Sequence, residues 1–193
     1  MQSLIELDKR LFLVLNGLHS PFFDQVMFDT TKTFFWLPLY LFFAYLIFKT
    51  YKKTAWYILL GAGITILLSD QFTYSVMKPF FARPRPSHET TLTGLVHLVN
   101  GESGGLYGFA SSHAADTFGI ALFVWLALRT FYNGIGYVFL WAALMTYTRI
   151  YLGLHYFSDI IAGALVGLAS GWLAFLLSKW LIYHFVESRV SPK

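Results

Sequence analysis

Apolar residues along this chain fall into long runs separated by short polar breaks and one long polar loop, and the breaks predict the elements. Residues 4–15 mix apolar and charged positions as an amphipathic helix does, with Ser3 as the expected cap. Glu6, Asp8, Lys9 and Arg10 interrupt that stretch too often for a membrane span, so residues 1–33 are expected to be an interfacial segment. NGLHSP (16–21) breaks the chain, a first span is expected over Phe34–Phe48, and basic KTYKK (49–53) makes a turn. The second span is expected over Ala55–Met77. Residues 78–110, rich in Pro, Arg, Gly, Ser and Glu, form a loop too hydrophilic for lipid. The remaining spans are expected over Ser111–Phe131, Ile135–Tyr147 and Ser158–Ile182, divided by YNG (132–134) and a break at Arg149–His155. The expected fold is an all-α, polytopic membrane helical bundle with about five transmembrane helices plus the N-terminal interfacial helix, or six if that region spans. The chain reads as one domain, 1–193, whose core is 55–183.

Composition agrees with the pattern. Charged residues are 12% of the 193, about half the roughly 25% usual in soluble proteins, and hydrophobic residues are 56%. There is no cysteine, which excludes disulfides, thiolate catalysis and thiolate metal sites. The net charge of +4 is small and its basic residues sit between apolar runs, so nucleic acid is not an expected partner. The first fifteen residues, MQSLIELDKRLFLVL, do not read as a cleavable signal peptide. Gly163, Gly167 and Gly171 share one face of the last span, where small residues let another helix approach. Packing within the chain is the expected use, with a homodimer as the alternative.

Alternating five spans puts the turns at 49–53 and 132–134 on one side of the membrane with the C-terminus. The N-terminal helix, the 78–110 loop and the 149–157 break fall on the other. The turn side carries Lys49, Lys52, Lys53, Arg129, Lys179, Arg189 and Lys193, so the positive-inside rule places the turns in the cytoplasm and the polar face outside.

That polar face gathers three unusual stretches: KPFFARPRP (78–86), YGFASSHAAD (107–116) and TRIYLGLHYFSD (148–159). In the first, Lys78, Arg83 and Arg85 sit on a segment stiffened by Pro79, Pro84 and Pro86. Arginine forks and a lysine point charge at a membrane surface suit a phosphate. In the second, Ser111 and Ser112 stand where a helix begins, and free N–H groups there cap or bind an anion. His113 follows, with Asp116 one turn on, able to orient it or to pair with a base. In the third, Arg149 precedes His155 and Asp159, an i, i+4 pair in which the carboxylate can hold one ring nitrogen and leave the other lone pair free for a nucleophile or base. A metal site drawn from His88, His97, His113, His155 and the neighbouring acids is the competing reading. No H-E-x-x-H spacing supports it, and the adjacent Lys and Arg would repel a cation. Asp70, inside the second span, is expected to support Lys78 or a neighbouring helix.

These residues resemble the signatures of the type 2 phosphatidic acid phosphatase family, K-x6-R-P, P-S-G-H and S-R-x5-H-x3-D. Lys78, Arg85 and Pro86 match the first; Ser111 and His113 match the second, with Ala110 and Ser112 in place of its proline and glycine; Arg149, His155 and Asp159 match the third, with Thr148 in place of its serine. The likeness runs from about Ala55 to the C-terminus. It implies that His155 attacks phosphorus to form a phosphohistidine, Asp159 holds its ring and His113 is the general acid. Lys78, Arg85, Arg149, Ser111 and Ser112 would hold the phosphoryl oxygens. Arg83, a common extra base in RPRP-type members, and Asp116 would support them. No cofactor and no metal are implied. The expected partners are the bilayer and a membrane lipid phosphate. The expected place is a bacterial inner membrane, with the site on the periplasmic face. Undecaprenyl diphosphate is the first expectation for substrate. Phosphatidylglycerol phosphate, phosphatidate and lipid A phosphates are the alternatives, beside a phosphotransferase on the same scaffold. A small anion carrier is the rival of a different class.

Overall fold

The computed structural model describes residues 2–188, so Arg189 and Lys193, counted above with the turn side, lie outside the described residues. Helix α1 (Gln2–Asn16) begins before Ser3, which therefore lies inside the helix instead of capping it. Its apolar residues divide between two faces. Phe12 is fully buried, edge-on to Tyr156, while Leu4, Leu7, Leu11 and Val14 form an exposed stripe at helical spacing. A helix with an outward apolar stripe and charged neighbours suits a bilayer surface. Ser20 then caps a helix that the apolar pattern does not predict, α2 (Pro21–Thr30), by accepting the N–H of Phe23 at 3.4 Å.

A 3-10 turn (Thr33–Trp36) leads into α3 (Leu37–Tyr51). Lys52 adopts φ +50°, and one tight turn at Lys52–Thr54 returns the chain as α4 (Ala55–Gln71), with Phe48 against Trp56 beside the turn. α4 runs through a wide π turn (Phe72–Met77) into α5 (Lys78–Phe81), so Lys78 stands at the end of a helix, not in the loop. Ala82, in the left-handed region, stops it. After the loop come α6 (Ser112–Leu128), α7 (Val138–Tyr151) and α8 (Phe157–Ile182). α7 begins later and ends later than the sequence predicts, because Asn133–Tyr137 forms a 3-10 turn; Arg149 therefore rides on its last turn and not in a break. Two stretches, Thr33–Phe81 and Phe157–Glu187, are long and apolar enough to cross a bilayer, and Ser112–Leu128 is a shorter apolar helix.

The centre of the bundle is the packing of α4, α6 and α8. A Cβ on Gly163, Gly167 or Gly171 would overlap the carbonyl oxygen of Ser111, Ala115 or Gly119 on α6, so the glycine face is filled from within the chain. Hydroxyls buried near this seam return their protons to the carbonyl one turn back, Thr65 to Gly61 and Ser178 to Ala174, each at 2.9 Å. Where water is excluded, that is how a hydroxyl stays satisfied.

Gly167→Ala should therefore lower the thermal midpoint in detergent by several degrees, the effect of the ~1–3 kcal/mol that overpacking costs. Gly63→Ala, at a site with nothing within 4 Å of the new Cβ, should leave the midpoint unchanged or slightly raised. Equal loss in both would contradict the seam.

Candidate active site

The first and second motif segments hold each other. Beyond Ala82 the chain pairs with residues 106–108: Pro84 bridges Tyr107, the Arg85 N–H donates to Leu106 O at 3.0 Å, and the Gly108 N–H donates to Arg83 O at 2.9 Å. The second and third join through the backbone, where the Ser111 N–H donates to Asp159 O at 3.0 Å. Ser111 is fully buried and caps α6, its hydroxyl accepting the Ala114 N–H at 3.4 Å.

His155 lies in the turn between α7 and α8 and is 2% exposed. Its Nε2 is 3.3 Å from Arg85 Nη1, which also donates to Leu154 O at 3.3 Å. Its Nδ1 is 3.5 Å from Asp159 Oδ2 but forms no hydrogen bond. The spacing of the pair thus brings the groups together without the bond expected from it. Asp159 is occupied elsewhere: Oδ2 accepts the Tyr156 N–H at 3.0 Å as a helix cap, and Oδ1 accepts from Arg83 at 2.9 Å. Burial first, then the charges of Arg85, Arg149 and Lys78, hold the His155 pKa well below the ordinary 6.5, which leaves its ring neutral.

His113 is in the first turn of α6, within Coulombic reach of Arg149, His155, Arg85 and Lys78. Asp116 neither orients it nor pairs with a base; it accepts from Ser69 Oγ at 2.8 Å. Lys78 Nζ turns to Ser112 Oγ at 2.8 Å, not to Asp70, and the same hydroxyl lies 2.8 Å from Thr73 Oγ1. Arg149 is held by Thr31 at 2.9 Å. The Nε atoms of Arg85 and Arg149 are buried without a partner. Buried donors of that kind suit an anion. The histidines of the competing metal reading make separate contacts: His88 meets Gly104 O at 3.1 Å and His97 meets Asp24 at 2.9 Å.

Several contacts escape a reading of the sequence, among them those of Arg83, a residue it does single out. Arg83 is a junction, donating to Ser158 at 2.6 Å, Asp159 at 2.9 Å and Asp8 at 2.7 Å while stacking on Tyr156. Thr31 of the unpredicted α2 region holds Arg149. Gly108 is the third: a Cβ there would lie 3.0 Å from Arg85 Cγ, 3.2 Å from Asp159 Oδ2 and 3.5 Å from His155 Nδ1. Below His113 a cavity of about 460 Å³ opens between α3, α4, α6 and α7, lined mostly by apolar side chains such as Phe43, Ile66, Ile120 and Met145.

Gly108→Ala should lower kcat by about tenfold or more while leaving the unfolding midpoint nearly unchanged, because the added methyl shifts three site residues by tenths of an ångström. Phosphate release and a thermal melt measured on one preparation check this.

Residues 57–183 match the PAP2 superfamily. The sequence is 39% identical over 183 residues to the lipid A 4'-phosphatase of Bacteroides thetaiotaomicron, covering 94% of this chain and 81% of that protein. It is 35% identical over 189 residues to the lipid A 4'-phosphatase of Porphyromonas gingivalis, covering 94% and 79%. The fold is similar to the crystal structure of Aquifex aeolicus LpxE, with a TM-score of 0.61, 26% identity and coverage of 86% of this chain and 93% of that one. It is similar in fold to the PAP2 type phosphatidylglycerolphosphate phosphatase from Bacillus subtilis, with a TM-score of 0.65, 21% identity and coverage of 99% and 89%.

Proposed function

The chain belongs to the PAP2 superfamily and is a membrane lipid phosphatase, and from that premise we propose that it removes the 4'-phosphate of lipid A through a phosphohistidine. The observation that carries the choice of lipid is identity of 39% and 35% to two lipid A 4'-phosphatases across 94% of the chain. Undecaprenyl diphosphate, the first expectation from sequence, gives way to a lipid that stood among its alternatives. The apolar cavity beneath His113 supports an amphiphile, since one acyl chain could lie there with its headgroup phosphate at the basic cluster.

In this reading Lys78, Arg85 and Arg149 take the phosphoryl oxygens, with the Ser111 cap and the N–H of Ser112 at the start of α6. Arg85 exchanges its contact with His155 Nε2 for the phosphate, and Nε2 attacks phosphorus. The bond between phosphorus and the sugar oxygen breaks, and His113 gives that oxygen its proton. Water then loses a proton to His113 and attacks phosphorus, and the P–N bond breaks, releasing phosphate and restoring the His155 lone pair. Asp159 steadies the ring through its charge as the phosphorylated imidazole becomes cationic. In this reading α3, α4, α6, α7 and α8 cross the inner membrane and the site faces outward, which the lysines at 49, 52 and 53 on the opposite turn support.

Detergent-purified protein given lipid A, phosphatidylglycerol phosphate, phosphatidate and undecaprenyl diphosphate, each with EDTA, should release phosphate fastest from lipid A. Tandem mass spectrometry should find the 4' position bare. Preference for undecaprenyl diphosphate would overturn the choice of lipid. His155→Ala should fall by about 10⁴-fold or more. Rapid quenching with ³²P-labelled substrate should trap an acid-labile, base-stable phosphoprotein in wild type and none in His155→Ala.

A further inference from the structure

Outside the phosphate site, one group of side chains able to ligate a metal converges among the described residues. His19, Asp24 and His97 bring their ligand atoms within 4.8 Å of one another. They come from three separate places: the turn between α1 and α2, the first turn of α2, and the long polar loop. We propose that this cluster is a structural site for a divalent transition metal, zinc by the character of its donors, which fastens the loop to the N-terminal helices.

Two imidazoles and a carboxylate make a borderline donor set. It suits zinc and its neighbours in the first transition row, and not magnesium or calcium, which favour oxygen ligands. The surroundings are organised as the second shell of a metal site is. Asn16, 1% exposed, pins the His97 main chain from both sides: its Oδ1 accepts the His97 N–H at 2.8 Å, and its Nδ2 donates to His97 O at 3.1 Å. The same Nδ2 donates to Ile150 O at 3.1 Å and Tyr151 O at 2.8 Å. The Tyr151 hydroxyl donates to Asp24 Oδ1 at 2.7 Å and orients the carboxylate.

The rings of His19 and His97 stack face to face, 3.6 Å between centroids and 2° apart. His19 is exposed and free to turn its nitrogen edge toward an ion. His97 Nε2 sits 2.9 Å from Asp24 Oδ1; on coordination the proton of that ring resides on Nδ1 and the ion takes the Nε2 lone pair. Water fills the fourth position of a tetrahedral ion.

The site touches no phosphate ligand, but it braces one. Gly153, at φ +78°, lies against Val96, the His97 carbonyl and Leu98, all within 3 Å of where its Cβ would be. The loop segment that carries His97 therefore rests on the turn that presents His155, and Tyr151 lies two residues beyond Arg149. A metal here stabilises the platform while the chemistry stays metal-free, whichever lipid the phosphate site takes.

The test uses the full chain without a polyhistidine tag, stripped with EDTA and titrated with ZnCl₂ in detergent. Calorimetry should find one zinc per chain with a dissociation constant of about 1 μM or tighter, and the thermal midpoint should rise by about 5 °C at saturation. His19→Gln, at an exposed position, should weaken zinc at least tenfold and remove the shift, while its phosphate release without metal matches that of stripped wild type. His97→Gln should also lose the zinc. His184→Gln, at an exposed histidine far along the chain, should keep both binding and shift. Folded wild type with no zinc binding tighter than ~100 μM would overturn the proposal. So would binding undiminished in the His19→Gln/His97→Gln double variant, which would leave the stacked pair as a hydrogen-bonded contact only.

Discussion

Asp159 has no exposed surface, and through it the three motif segments are tied to one another. Its carboxylate receives Arg83 from the first and the Tyr156 N–H from the third, while its carbonyl receives the Ser111 N–H from the second. A carboxylate taken out of water costs several kcal/mol unless partners offset it. Here a guanidinium and a backbone N–H do so, and both contacts also locate something. Arg83 carries the tie outward to Asp8, which in turn accepts the Ser158 N–H at 3.1 Å, so the N-terminal helix is anchored to the same carboxylate. The i, i+4 relation to His155 is therefore one of several demands on Asp159, and the 3.5 Å separation of the two side chains is the compromise that results.

The tie works because α6 and α8 cannot slide. Gly163 places the start of α8 directly on the Ser111 carbonyl, and Gly167 and Gly171 repeat the contact one and two turns deeper. A shift of one helix by part of a turn would drive backbone into backbone. The seam thus converts a general packing rule for membrane helices into a fixed distance between Ser111, which caps α6, and Asp159, in the first turn of α8. The positions of His113 and His155 follow from the same register.

The helices of the bundle, and the stretches that gather on its polar face, were legible in the sequence because each rests on local information: apolar run length, proline and glycine breaks, and spacing within one helix. What escaped is long-range. Arg83 meets Asp8 from 75 residues away and Arg149 meets Thr31 from 118, and no local spacing announces either. α2 escaped because PFFDQVMFDT carries neither a long apolar run nor a clean helical stripe; its cap and opening proline are the signals that could have found it. Gly108 reads as an ordinary loop glycine until the fold sets Arg85, Asp159 and His155 around it. The first expectation for the lipid differs from the one we propose for a different reason. A small chain and an outward-facing site bear on topology, and neither contains information about a headgroup.

The position where this chain departs most from its family's signature clarifies how the phosphate end is built. A serine in place of glycine at 112 adds a side chain beside the phosphate site, and a smaller pocket would be the simple consequence. Its hydroxyl is turned away to Lys78 and Thr73, both at 2.8 Å, so the addition fixes a cation. Lysine is a flexible point charge and loses entropy whenever it is held. A hydroxyl that is itself held by Thr73 lowers that loss before the substrate arrives. Lys78, Arg85 and Arg149, all half-buried, repel one another, and the charge that relieves them is an anion. The same repulsion disfavours a metal ion among them. Burial, and after it these charges, hold the His155 pKa down, and a neutral imidazole is what attack on phosphorus requires. In the proposed reaction the cations that would take the phosphate thus add to burial in favouring the reactive form of His155.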